Sequence, residues 1–155
     1  MSTIYVPTGQ LTPPSFSWVA ASLVSVATLL QWQGISVGNA RKKASIPYPQ
    51  AYAEKAEQES SMDAKIFNCK QRAHQNTLEN VPVVILTTLI GGLRYPIFAA
   101  AACGFWSVTR ILYMIRYGTG EPKKRALPIR LNFFTQIVLT VLSGKVVFDL
   151  IKAGV

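Results

Sequence analysis

Long uncharged stretches alternate with short basic ones along the whole chain. From Met1 to Ala40 there is no charged residue, and Trp18 to Val37 (WVAASLVSVATLLQWQGISV) holds 20 uncharged residues in a row. At ~1.5 Å rise per residue that is enough to cross a ~30 Å hydrocarbon core. Two more runs are long and largely apolar, with a few charged residues in each. One is Pro96–Tyr117, which starts on a proline suited to the first helical position; the other is about Ile129–Ile151. Between the first and these two, Val81–Leu93 gives only 13 uncharged residues, too few to cross alone. Upstream of it, Ser60-Ser61-Met62-Asp63 reads as a helix start, and nothing from Asp63 to Asn80 breaks a helix. The pattern therefore predicts four long helices, at about 17–40, 63–93, 96–117 and 129–151, the second with polar outer turns. Connections at about 41–62 and 118–128 join them. Pro82 removes one backbone hydrogen bond from the second helix and predicts a kink near Leu78.

The fold class expected is all-α: an integral membrane four-helix bundle in one domain covering 1–155. Composition agrees, with 50% hydrophobic and only 15% charged residues, against about 25% charged in globular chains. Within the spans, Gln31 and Gln33 are expected to face neighbouring helices, and the AAAACG run at Ala99–Gly104 offers a small-residue surface for close helix contact. Lys145 and Asp149 lie near enough to the end of the last span to snorkel. No basic leader or small-residue cleavage site precedes the first span, so it is expected to stay uncleaved. No terminal retention or lipidation signal, internal repeat or low-complexity tract is visible.

The net charge of +9 fits nucleic acid, an anionic membrane surface or a small anionic ligand, and the placement of the cations decides among them. Arg41, Lys42, Lys43, Lys55, Lys65, Lys70 and Arg72 follow the first span, and Arg116, Lys123, Lys124, Arg125 and Arg130 cluster from the end of the third span to the start of the fourth. Arg94 stands alone between the second and third. Nucleic-acid binders interleave cations with aromatics on a polar surface; here the cations sit in the connections between apolar runs, as in membrane proteins. The positive-inside rule then puts both basic connections in the cytosol and both termini on the far side. Cys69 and Cys103 are too far apart for a CxxC pair, and one histidine, His74, excludes bis-histidine metal or haem chemistry. No metal is expected.

On the polar half of the second helix, Arg72, Asn76 and Glu79 are spaced +4 and +3 and fall within a ~60° arc of one face. Ionisable groups at membrane depth are costly and need pairing, a partner or a ligand; alone, Arg72 and Glu79 also read as a surface ion pair. His74 lies on the opposite side of that helix. In the third helix Arg110, Tyr113 and Tyr117 make a second stripe, which alone reads equally well as an interfacial belt. The loop Gly118–Arg125 (GTGEPKKR) ends in cations. Together these residues describe a pocket for a small anion that also carries an ammonium. Arginine forks onto a carboxylate, glutamate takes an ammonium, and asparagine holds a peptide amide. Glutathione has all of these groups, and its thiol, with a pKa of ~8.5, needs nearby cations to ionise at neutral pH.

The segments FNCKQRAHQNTLEN (67–80) and RILYMIRYGTGEPKKR (110–125) resemble the MAPEG family, the membrane-associated proteins in eicosanoid and glutathione metabolism. The likeness runs from about Trp18 to Ile151. It implies a homotrimer with glutathione, as co-substrate, bound at the protomer boundary on the cytosolic side. Arg72, Asn76, Glu79, Tyr113 and Tyr117 fall on glutathione-contacting positions. Arg41 and His74 fall where a neighbouring protomer reaches the ligand, and Lys124 or Arg125 falls where the family places its thiolate-stabilising cation. Asn80, Lys42 and His74 depart from one branch of the family, which has tyrosine, arginine and glutamine there. The function expected is glutathione transfer, with peroxidase activity, towards lipophilic electrophiles and lipid hydroperoxides arriving from the bilayer. A non-catalytic lipid-presenting member and a small four-helix transporter are the alternatives. The expected location is the endoplasmic reticulum, with the nuclear envelope or outer mitochondrial membrane as alternatives.

Overall fold

A computed structural model describes residues 13–154, and every regular element among them is helical. The expected outer placement of the N-terminal tail lies outside the described residues. The elements are α1 (Phe16–Ala44), α2 (Lys55–Ser60), α3 (Met62–Gly92), α4 (Pro96–Tyr117) and α5 (Ala126–Ala153), with a 3-10 turn at Pro122–Arg125 before the last. The four long helices form one bundle. α1 packs on α3 and α4, α5 packs on the same two, and α3 and α4 touch each other through the centre.

Local chemistry explains the boundaries. α1 runs to Ala44, past the expected end near 40, because Arg41, Lys42 and Lys43 in its last turn favour the negative pole of the helix. α3 begins where the sequence indicates, with the Ser61 hydroxyl accepting the Ala64 N–H at 3.3 Å. It then continues unbroken through Pro82 for 31 residues. α5 starts earlier than expected, at Ala126, since Pro128 lies in its first turn, where a missing N–H costs little. The 41–62 connection is not all loop. It contains the six-residue α2, whose Glu57 carboxylate accepts the Glu54 N–H at 2.7 Å.

Polarity is arranged opposite to that of a water-soluble bundle. Val24, Ile35, Leu86, Phe98, Phe105, Val141 and Phe148 are exposed on the outside. Gln33, Thr77, Thr88, Arg110 and Asn132 are buried, none more than 2% exposed. An apolar exterior with polar groups turned inward is the arrangement a bilayer selects. Three helical segments are long and apolar enough to cross it, Phe16–Ala44, Pro96–Tyr117 and Pro122–Ala153. α3 is not among them, because its first half is polar. The core has two parts: Val26, Leu29, Val84, Cys103, Trp106 and Leu139 in mid-bundle, and Val37, Ile46, Phe67, Ala73, Tyr113 and Met114 towards the basic end. At the other end Asp149 binds Lys145 at 3.0 Å and Arg94 at 3.5 Å, tying the α3–α4 turn to α5.

The tightest helix approach is testable. A Cβ on Gly92 would stand 2.8 Å from Val19 Cγ2, whereas one on Gly144 meets nothing within 4 Å. Gly92→Ala is expected to lower stability by about 1–3 kcal/mol, and Gly144→Ala to leave it unchanged or slightly raised. Thermal unfolding in detergent would show the difference.

Candidate functional site

The two polar stripes meet at the basic end of the bundle. Within α3, Arg72 Nη1 donates to Glu79 Oε1 at 2.9 Å and Asn76 Nδ2 donates to Glu79 Oε2 at 3.2 Å. From α4, Arg110 Nη1 donates to Asn76 Oδ1 at 2.8 Å. That last bond settles which way the Asn76 amide points. A guanidinium only donates, so the amide oxygen must face Arg110 and its NH2 must face Glu79. Arg110 is 2% exposed, and its guanidinium lies 5.1 Å from the Trp106 ring and 5.5 Å from that of Tyr113. Those aromatic faces help to hold a cation that has left water. The Arg72–Glu79 pair, by contrast, is nearly half exposed, with side chains at 43% and 45%, and taken alone it contributes little to stability.

A second group continues from the first. Tyr113 and Tyr117 pack with tilted rings, centroids 5.6 Å apart. Arg125, at the end of the 3-10 turn, donates to the Tyr117 hydroxyl at 3.1 Å and lies 4.9 Å from its ring. Lys124 points elsewhere: its ammonium pairs with Glu121 at 2.7 Å on the surface. Of the two candidate cations, only Arg125 reaches the tyrosine pair.

Arg41 and His74 stand apart from this network. Arg41 is buried and directed into its own following loop, donating to the Gln50 carbonyl at 2.6 Å between the rings of Tyr48 and Phe67. His74 Nδ1 lies 3.2 Å from Gln33 Oε1 of α1, on the far side of α3 from the trio. Cys103 is fully buried, and Cys69 is buried beside the site.

Beneath the trio lies a pocket of about 600 Å³, lined by Asn76, Asn80, Arg110, Asn132, Phe133 and Gln136 among others. Asn80 Oδ1 accepts from Gln136 Nε2 at 2.8 Å, joining α3 to α5. The sequence did contain a signal for this wall: Asn132 and Gln136 are amides four apart in an otherwise apolar span, hence on one face. A smaller pocket of about 300 Å³ lies on the basic side, between Arg72, Lys65, Tyr117 and Tyr52. Tyr52 belongs to the α1–α2 connection, where no periodicity could flag it. A larger groove, about 940 Å³, runs between α1 and α4 past Val24, Trp32 and Val108, away from these charges. No group of three or more His, Cys, Asp or Glu side chains suited to a metal occurs among the described residues.

An apolar exterior, three spanning helices and polar groups gathered at one end describe an integral membrane protein with a polar site at the bundle end. The model of the MAPEG family matches residues 19–145, most of the chain, and the protein belongs to that family. Membership makes it a membrane protein of glutathione-related or lipid metabolism, in a family that includes glutathione transferases and synthases.

The buried cation makes a thermodynamic prediction. Asn76→Leu removes the acceptor of a guanidinium that cannot reach water, and is expected to cost about 2–3 kcal/mol. Glu79→Gln, at the half-exposed end, is expected to cost under about 1 kcal/mol. Denaturant unfolding in detergent would rank the two.

Proposed function

We propose that this protein is a membrane glutathione transferase with glutathione-dependent peroxidase activity, of the kind represented in its family by microsomal glutathione transferase type 3. The observation that carries the reading is the Asn76 amide, which joins Glu79 to Arg110 and so makes one site from two helices. Arg72 offers a carboxylate fork, Glu79 takes the ligand's ammonium, and Asn76 and the Tyr113–Tyr117 pair meet its peptide groups. The protomers form a homotrimer with the site at their boundary, where Arg41 and His74 border the neighbouring site. Four helices cross the membrane of the endoplasmic reticulum, and the basic end faces the cytosol, as the positive-inside rule requires.

Arg125 is the residue assigned to thiolate formation. Lowering a thiol pKa of ~8.5 by ~2 units takes ~2.7 kcal/mol of differential stabilisation, within reach of one partly desolvated cation. Its hydrogen bond to Tyr117 holds it at the tyrosine pair, whereas Lys124 is occupied by Glu121. The thiolate sulfur then attacks an electrophilic carbon, forming an S–C bond as the leaving group departs. With a hydroperoxide it attacks the outer peroxide oxygen instead. The O–O bond breaks, the alkoxide takes a proton to become an alcohol, and the resulting sulfenic acid combines with a second glutathione to give disulfide and water. The sulfur supplies the electrons in both reactions, so no metal is needed and neither Cys69 nor Cys103 need react.

Ultraviolet absorbance of the bound thiolate tests the reading. Purified native protein is expected to give a saturable signal as glutathione is added. Arg72→Ala should raise the half-saturating concentration at least about tenfold, and Arg125→Ala should abolish the signal. A signal that survives Arg125→Ala but is lost in Lys124→Ala would transfer the role to Lys124. A native protein without signal would leave the non-catalytic, lipid-presenting reading.

A further inference from the structure

The connection between α1 and α2 lies across the basic end of α3 and is fixed at both sides of a single residue. On one side, Arg41 donates to the carbonyls of Pro47 at 3.4 Å, Gln50 at 2.6 Å and Ala51 at 3.5 Å. On the other, the Asn68 amide makes a two-way clamp, accepting the Ala53 N–H at 2.8 Å and donating to the Ala53 carbonyl at 2.9 Å. Gln50 is also bound to Glu57 of α2, at 2.6 Å. Between these anchors stands Tyr52. Its hydroxyl bonds to Gln75 Oε1, one turn beyond Arg72, and its side chain lines the 300 Å³ pocket with Arg72, Lys65 and Tyr117.

This degree of anchoring is more than a simple link between helices requires. Two cations in the pocket wall, Lys65 and Arg72, suit an anion, and Tyr52 brings a neutral donor to the same space. Burial pushes the phenol pKa up despite the lowering effect of nearby Arg72, so the hydroxyl keeps its proton at neutral pH and can donate. In the ligand-free protein that proton goes to the Gln75 amide oxygen. A carboxylate arriving at Arg72 is the stronger acceptor, because hydrogen bonds to charged groups are about twice as strong as neutral ones. Redirecting the O–H needs only rotation about the C–O bond.

We infer that Tyr52 is a binding residue for a carboxylate of the co-substrate, and that Asn68 and Arg41 are positioning residues that hold it beside Arg72. The inference rests on the glutathione reading above and adds a contact from outside the two helical stripes. It also gives buried Arg41 a role within its own protomer. With the connection already fastened before the ligand arrives, little ordering entropy is lost on binding.

Glutathione titration followed by thiolate absorbance separates this inference from the reading beneath it. Tyr52→Phe keeps the ring and removes the hydroxyl. The half-saturating concentration is expected to rise about five- to tenfold, with the signal at saturation unchanged because Arg125 is untouched. Asn68→Ala is expected to show a similar rise, and the double variant no larger a rise than the single ones, since Asn68 acts through Tyr52. Native half-saturation in Tyr52→Phe overturns the inference while the glutathione reading stands. Independent, multiplying effects in the double variant overturn the positioning role of Asn68. Absence of any signal in the native protein overturns both.

Discussion

The hydrogen bond from Arg110 to Asn76 is the interaction on which the site depends. A guanidinium 2% exposed in a bundle with an apolar exterior must be held by acceptors and aromatic faces, because water is not available to it. Here it has one amide oxygen and two rings. That single acceptor fixes the Asn76 amide, the amide fixes one oxygen of Glu79, and Arg72 fixes the other. The polar trio on α3 is therefore organised from inside the bundle, by a residue of α4. The surface pair Arg72–Glu79 would not hold such a geometry unaided, since exposed ion pairs are weak and mobile.

The fold was legible in the sequence to the extent that bilayer physics writes itself into composition. Trp18–Val37 is uncharged because charge there would face lipid, Pro96–Thr109 is likewise free of charge, and the helices of both appear as expected. α3 was harder for the same reason. Its first half is polar and only partly covered by other helices and the α1–α2 connection, so hydropathy misses it, while the Ser61 cap and the absence of a breaker reveal it. The stripes were readable because residues three and four apart share a helix face. Whether two stripes on different helices touch is a question of packing, and only the Arg110–Asn76 bond answers it.

Residues in irregular segments carry no such period. Lys124 and Arg125 are neighbours with the same charge, and nothing in the sequence separates them. The 3-10 turn does, since successive residues of a three-residue turn point about 120° apart. One side chain goes to Glu121 and the other to Tyr117. Tyr52 escaped notice for a related reason: its position is set by Arg41 and Asn68, which are distant in sequence from each other and reach it only through the folded connection.

The location of the site follows from the division of α3 into two halves. Arg72 and Glu79 belong to the polar half, and just beyond them Val81, Val83 and Val84 begin the apolar one. Asn80 stands at the change and binds Gln136 of α5, so the wall of the larger pocket is polar at the trio and aromatic at Phe133 and Phe134. A charged, water-soluble molecule has favourable contacts on one side of that boundary only, and an apolar molecule only on the other. Such a boundary suits the pair of substrates proposed above, one water-soluble and one apolar. In the proposed reaction Arg125 gains from the same kind of placement, because partial removal of water strengthens a cation's field on a neighbouring sulfur. Moving the cluster one turn towards solvent would weaken that field. One turn deeper, the cost of burying the charges of Arg72 and Glu79 would exceed what their mutual pairing returns.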